Sequence, residues 1–180
     1  MRPFLVALVL LLVPGPAQAT TALRLGPRDL AARARAIVEG RVISTDSERT
    51  PDGKRIFTRV RIRVDEVWKG SPGREVEVVL PGGVVGDYVQ IVQGMPRFGE
   101  DESVLVFLED APASTAYRVV GLAQGKFTVV EVPEQGKFAV PNLEGLLLVD
   151  PRSRAPVAPA IEVPTPLHQL RRQILAPEVE

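Results

Sequence analysis

The chain has 180 residues, with 22 Lys and Arg against 22 Asp and Glu, no Cys and a single His. That balance argues against the basic stripe of a nucleic-acid binder, and the absence of Cys excludes a disulfide scaffold and a Cys₄-type zinc site. The length suits one domain with a tail, and with aromatics at 5 % its core is expected to consist of Val, Leu and Ile.

Residues 1–19 read as a signal peptide. Arg2 supplies a positive start, an apolar run follows over 4–13, Pro14-Gly15-Pro16 breaks any helix, and Ala17-Gln18-Ala19 is a small-x-small cleavage site. At roughly 10 residues the run is too short to cross a hydrocarbon core of about 30 Å as a helix. The expectation is a chain secreted or delivered to the periplasm, not membrane-spanning, whose mature form begins at Thr20. No Cys follows the cleavage site to carry a lipid.

Residues 27–35, opened by Pro27 and rich in Ala, predict a short helix. Residues 36–44 predict a strand in which Gly40 marks a bulge or tight coiling. Residues 45–54, with Pro51-Asp52-Gly53, predict a turn. In the long strand that follows, Val60, Ile62 and Val64 alternate with Arg59, Arg61 and Arg63, one buried face and one wet face. The phase slips at Asp65-Glu66 before Val67, as a second bulge requires.

A third strand buries Val76, Val78 and Leu80 and exposes Glu75 and Glu77. Residues 104–108 form an uninterrupted apolar strand, residues 117–122 another, and 126–132 pairs with 138–140 as a hairpin. Strands at this spacing argue for a mainly β chain, an all-β barrel or sandwich over residues 20–149 with a short N-terminal helix. Over 150–180 the composition shifts to a Pro-rich linker (Pro151, Pro156, Pro159, Pro164, Pro166). A short C-terminal helix follows, with Leu167, Leu170 and Ile174 on one face.

The Gly- and Pro-rich stretch 78–103 is the one place that invites a ligand. It lacks the Gly-Lys-Ser/Thr ending of a P-loop, and Gly82-Gly83-Val84-Val85-Gly86 lacks Gly-x-Gly-x-x-Gly spacing. Residues 88–92 look extended, so no helix start would face an anion. Asp87, Glu100, Asp101 and Glu102 lack the spacing of a calcium loop and read as a solvated cluster. The stretch is therefore expected to be a wide barrel-end connection.

Catalysis has little to draw on. There is no Cys and no Gly-x-Ser-x-Gly, and His168 falls on the outer side of the terminal helix. No catalytic residue, metal or cofactor is expected, and the chain reads as non-enzymatic. The arginine face could hold an anionic polymer. The neutral balance favours instead its pairing with Glu75 and Glu77 across the ladder.

The segments AIVEGRVIS, TRVRIRVDEVWKGSPG, EVEVVL and FGEDESVLVFL follow in an order that resembles the netrin-like module of the tissue inhibitors of metalloproteinases. The resemblance covers residues 20–132. It includes the aromatic-Lys-Gly turn Trp68-Lys69-Gly70, the approach from Gly99 to Leu108, and the spacing from Thr20 through Pro27 to the first strand. It implies a five-stranded OB-type barrel, so the expected fold over residues 20–149 is an OB-like closed or partly open β-barrel. In that family the mature N-terminal residue chelates the target protease's zinc, a flanking disulfide locks the segment, and neighbouring loops complete a contact ridge. The matching positions are Thr20 and Thr21, with Asp87 and Tyr88 on the flanking loop; the anchoring cysteines are absent. An untethered segment would lose binding energy to ordering entropy. The expected function is that of an exported protein-binding module, with inhibition of a secreted metalloprotease as its sharpest form. The alternatives are a general envelope or extracellular interaction module and a carbohydrate-binding barrel. The last lacks an evident aromatic platform, with one Trp and two Tyr.

Overall fold

The computed structural model describes residues 19–112 and 114–175. The export segment expected over 1–19 lies outside them, apart from Ala19. The chain opens with β1 (Thr20–Leu23) and α1 (Pro27–Arg33). The helix starts at Pro27, whose fixed φ suits a first helical position, and Asp29 accepts the Gly26 N–H at 2.9 Å. Two long strands follow, β2 (Ala36–Arg49) and β3 (Ile56–Lys69), then β4 (Glu75–Pro81), the small hairpin of β5 (Gly83–Val85) and β6 (Tyr88–Gln90), and β7 (Ser103–Asp110). The chain continues through β8 (Tyr117–Val119), a 3-10 turn (Leu122–Gly125), β9 (Lys126–Val132), β10 (Gly136–Pro141) and β11 (Leu146–Val149). It ends on β12 (Thr165–Pro166) and α2 (Leu167–Leu175).

β2 pairs with β3, β3 with β4, β4 with β8, β8 with β7, and β7 with β2, closing a ring of five strands. All junctions are antiparallel except β4–β8, a single parallel pair between Val78 and Tyr117. This is the expected OB-like barrel. Along its free edge β7 passes from β9 (Val104–Val106 side) to β8 (Leu108–Asp110 side), so β9, β10 and β12 branch off the ring as a flap.

The apolar residues divide into two layers. Val38, Val42, Val60, Ile62, Val76, Val78, Leu80, Val104, Val106 and Leu108 fill the barrel. Ile37, Trp68, Leu105, Phe107, Phe127 and Ala139 form a second cluster outside it, covered by Leu30 of α1 and by Leu167 and Leu170 of α2. β7 therefore lies between two apolar layers, which is why its sequence shows no alternation. Phe107 and Phe127 meet edge to face, with centroids 6.1 Å apart.

The irregularities expected at Gly40 and at Asp65 are one bulge, and two further register shifts, at Ile37/Val38 and Val42/Ser44, carry no sequence signal. Glu39 faces Glu66 and Gly40 faces Val64, leaving Asp65 without a partner. A Cβ on Gly40 would overlap the Arg63 carbonyl oxygen, so this close approach needs glycine. The bulge also lifts Val64 partly out of the core, whereas the alternation placed it fully inside; Val60 and Ile62 are completely buried as expected. Arg61 and Arg63 are exposed. Arg59 keeps 40 % of its side chain exposed and is held by Glu48 and Glu77, each at 2.6 Å. The arginine face is thus partly neutralised by its neighbours, with Glu77 as one partner and Asp65, at 3.6 Å from Arg63, as another.

Several elements differ from expectation, β5, β11 and β12 among them as strands the sequence does not mark. β2 runs on to Arg49, because residues 45–49 are polar on both faces yet stay paired to β3, and the turn shrinks to Thr50–Arg55. The strand expected over 117–122 stops at Val119 and gives way to the 3-10 turn. β1 was not foreseen: it pairs in parallel with β11, Thr20 opposite Leu146. The tail is docked, since β12 pairs with Phe138–Ala139 of β10 and α2 buries Leu167 and Leu170. Arg171 ion-pairs with Glu66 and lies 5.4 Å over the Trp68 ring.

Candidate functional site

The connection from β4 to β7 carries the surface most exposed in apolar terms. Immediately after Pro81 the chain folds back as the β5–β6 hairpin and lies on the β2–β3 arm. Gly83, at φ +142°, permits this: a Cβ there would come within 2.5 Å of Thr58 Oγ1 and overlap Ser47. Those two hydroxyls hydrogen-bond to each other at 2.8 Å, and Thr58 Oγ1 donates to the Gly82 carbonyl at 2.8 Å. Gly83→Ala should therefore destabilise by more than about 1 kcal/mol, combining a disallowed φ with an overlap. A thermal melt with no loss would mean that the hairpin does not lie on the arm.

Gly86-Asp87 turns the hairpin, with Val85 opposite Tyr88 and Val84 opposite Val89. Val84 is 58 % exposed, Tyr88 and Val89 are 63 % exposed, and Ile91 just beyond is 69 % exposed. The Arg49 guanidinium stacks 3.7 Å over the Tyr88 ring and fixes it. Gln90 turns the other way, its Oε1 accepting the Ile56 N–H at 2.8 Å. Behind the hairpin lies a groove of about 540 Å³ bounded by Val84, Val89, Ile91 and Phe98. A second groove of about 690 Å³, between Phe57, Val79, Arg118 and Leu122, adjoins it through Leu80, Pro81, Met95 and Pro96.

The four residues singled out in the sequence fall into two places. Asp87 and Tyr88 stand at the hairpin tip. Thr20 and Thr21 lie at the far end of the same connection. The Thr20 N–H donates to the Gly145 carbonyl at 2.9 Å, and Thr20 Oγ1 donates to the Gln93 carbonyl at 2.8 Å. Pairing with β11 holds this segment without cysteines, while its nitrogen, the group the resemblance makes a zinc chelator, is bonded to the turn between β10 and β11. No hydrogen bond joins the two places among the described residues. Sequence reasoning missed Val84, Val89 and Ile91, because β-branched residues in an extended stretch look like core.

Glu102, read as part of a solvated acidic cluster, is instead turned inward. Its carboxylate receives the Lys126 ammonium, the Thr128 hydroxyl at 2.5 Å and the Gly99 N–H at 3.0 Å. Burial acts most strongly on its pKa and raises it, but the three hydrogen bonds together outweigh burial and hold the pKa below the usual carboxylate value. Lys126 is nearly buried and lies 5.4 Å over the Phe98 ring. No local pattern marks this pair, whose members are 24 positions apart. Asp101, next to it, offers its carbonyl to Arg41 at 2.9 Å.

His168 is exposed on α2. Among the described residues no three His, Asp or Glu side chains gather to hold a metal ion, and no helix is long and apolar enough to cross a membrane. No family model, curated protein or solved structure matches the chain.

Proposed function

We propose that this chain is an exported, non-enzymatic protein-binding module whose contact surface is the β5–β6 hairpin with the groove behind it. The observation that carries the reading is the cluster Val84, Tyr88, Val89 and Ile91, each more than half exposed on one short projection. Contiguous apolar surface on a chain with full charge elsewhere marks an interaction site. A Tyr held by an Arg has the character of an interface anchor. Inhibition of a secreted metalloprotease is the narrower form. It draws on the segment Thr20–Leu23, tethered by β11, and requires the Thr20–Gly145 hydrogen bond to open. A sugar-binding face is less well supported, because Trp68 is buried and Tyr88 is the only strongly exposed aromatic among the described residues.

A photo-reactive benzoylphenylalanine placed at Tyr88 should yield a discrete protein adduct in the native compartment, and one placed at His168 on α2 should not. Combining it with Val84→Ser, Val89→Ser and Ile91→Ser should abolish the adduct while leaving the melting temperature nearly unchanged. Equal labelling from both positions, or none from either, would overturn the reading. The inhibitor form is checked separately: the mature protein should inhibit a zinc endopeptidase, and acetylation of the Thr20 amine should remove that inhibition.

A further inference from the structure

The outer edge of β6 is an unguarded strand edge, and we propose that it pairs antiparallel with β6 of a second copy of this chain, centred on Gln90. Val85 and Tyr88 flank the two-residue turn, and Gly83 faces Gln90. Tyr88 and Gln90 therefore direct their backbone groups to β5, and Val89 directs its N–H and C=O away from it. Continuing that alternation, Ile91 does the same. Neither residue's backbone has a hydrogen-bond partner among the described residues. Natural sheets protect such edges with Lys, Pro, a bulge or a covering segment. Tyr88-Val89-Gln90-Ile91-Val92 carries no charge and no proline.

The second copy follows from symmetry. A two-fold interface must be complementary to itself, and this stretch reads the same in polarity in both directions about Gln90. Centred there, Val89 faces Ile91 of the other copy and the two exchange backbone hydrogen bonds, twice over by symmetry. Tyr88 then faces Val92, an aromatic against a β-branched side chain. Gln90 faces its own counterpart, each side chain staying bonded to Ile56 of its own copy. Centring on Val89 would instead set Asp87 against Ile91 and Tyr88 against Gln90, and would exchange half as many hydrogen bonds. Edge pairing leaves the apolar face of Val84, Val89 and Ile91 open in both copies. The dimer thus extends the proposed partner-binding face, and the pairing does not depend on that reading.

Sedimentation of the mature protein should show a weight-average mass rising toward that of a dimer between about 10 µM and 1 mM, as a small interface allows. V89K/I91K sets like charges opposite each other and should be monomeric throughout. V89K/I91E sets opposite charges in both pairs and should recover the dimer, a result that depends on this register. Because the chain has no Cys, Q90C should cross-link to a covalent dimer on mild oxidation, the facing Cα atoms being about 4.5 Å apart. V84C, one strand further in, should cross-link at least tenfold more slowly. All four chains should show the same far-ultraviolet circular dichroism. A parent that stays monomeric over the whole range, a V89K/I91K variant that still dimerises, or equal cross-linking of Q90C and V84C would each overturn the proposal.

Discussion

Leu108→Ala should lower the unfolding free energy by about 2–5 kcal/mol, the cost of removing a buried leucine and leaving a cavity. Leu108 has no exposed surface and sits opposite Ala36 of β2 on one side and Val119 of β8 on the other. It therefore lies at the junction where β8 closes the ring, and the β4–β8 contact beside it is only one residue pair long. Little else there can relax into the space. Arg61→Ala, on the exposed face of β3 with one hydrogen bond to Ser44 at 3.0 Å, should cost under about 1 kcal/mol. Urea titrations of the two variants measure both values. Equal losses would mean that the inward and outward faces of these strands are misassigned. Amide exchange should also quicken at Val119 in the leucine variant, because a loosened junction opens more often.

What could be read in advance was whatever one strand states by itself. The Val60/Ile62 alternation, the slip at Asp65 and the glycine at 40 are local, and the structure places the bulge between Glu39 and Gly40 accordingly. The apolar run at 104–108 announced burial, although only the docked helices explain why both its faces are covered. Residues 45–49 gave no strand signal because neither face is apolar; they are ordered by pairing with β3 and by the hairpin on top. Thr20–Leu23 is too short to show a period and depends on Leu146–Val149, more than a hundred positions away. The same limit applies to the candidate site. Asp87 and Tyr88 could be found from their place in a turn. Whether Val84, Val89 and Ile91 faced a core or solvent was decided by how the hairpin lies on the arm.

The interior ion pair makes the second large effect. Lys126→Met should destabilise the fold by about 3 kcal/mol, the lower end for a broken buried pair, because 18 % of the Glu102 side chain still meets water. Most of that loss comes from the carboxylate left behind, so K126M/E102Q should recover a substantial part of it. The amide oxygen can still accept the Thr128 hydroxyl, but the amide nitrogen then stands where Oε2 accepted the Gly99 N–H, so the recovery is incomplete. The pH dependence separates this account from simple packing loss. In the parent, Glu102 holds its proton less tightly folded than unfolded, so the unfolded chain binds more protons as the carboxylate titrates. Its contribution is fully present above the ordinary carboxylate pKa of about 4.3 and is lost as pH falls through the lower folded value. Without Lys126 the burial that raises the Glu102 pKa meets less opposition, and protonation then relieves the variant. The stability gap between parent and K126M should accordingly be widest near neutrality and narrow as pH falls through the carboxylate range. A gap that stays constant over that range would show that Lys126 contributes by filling space, and that the charge on Glu102 plays no part.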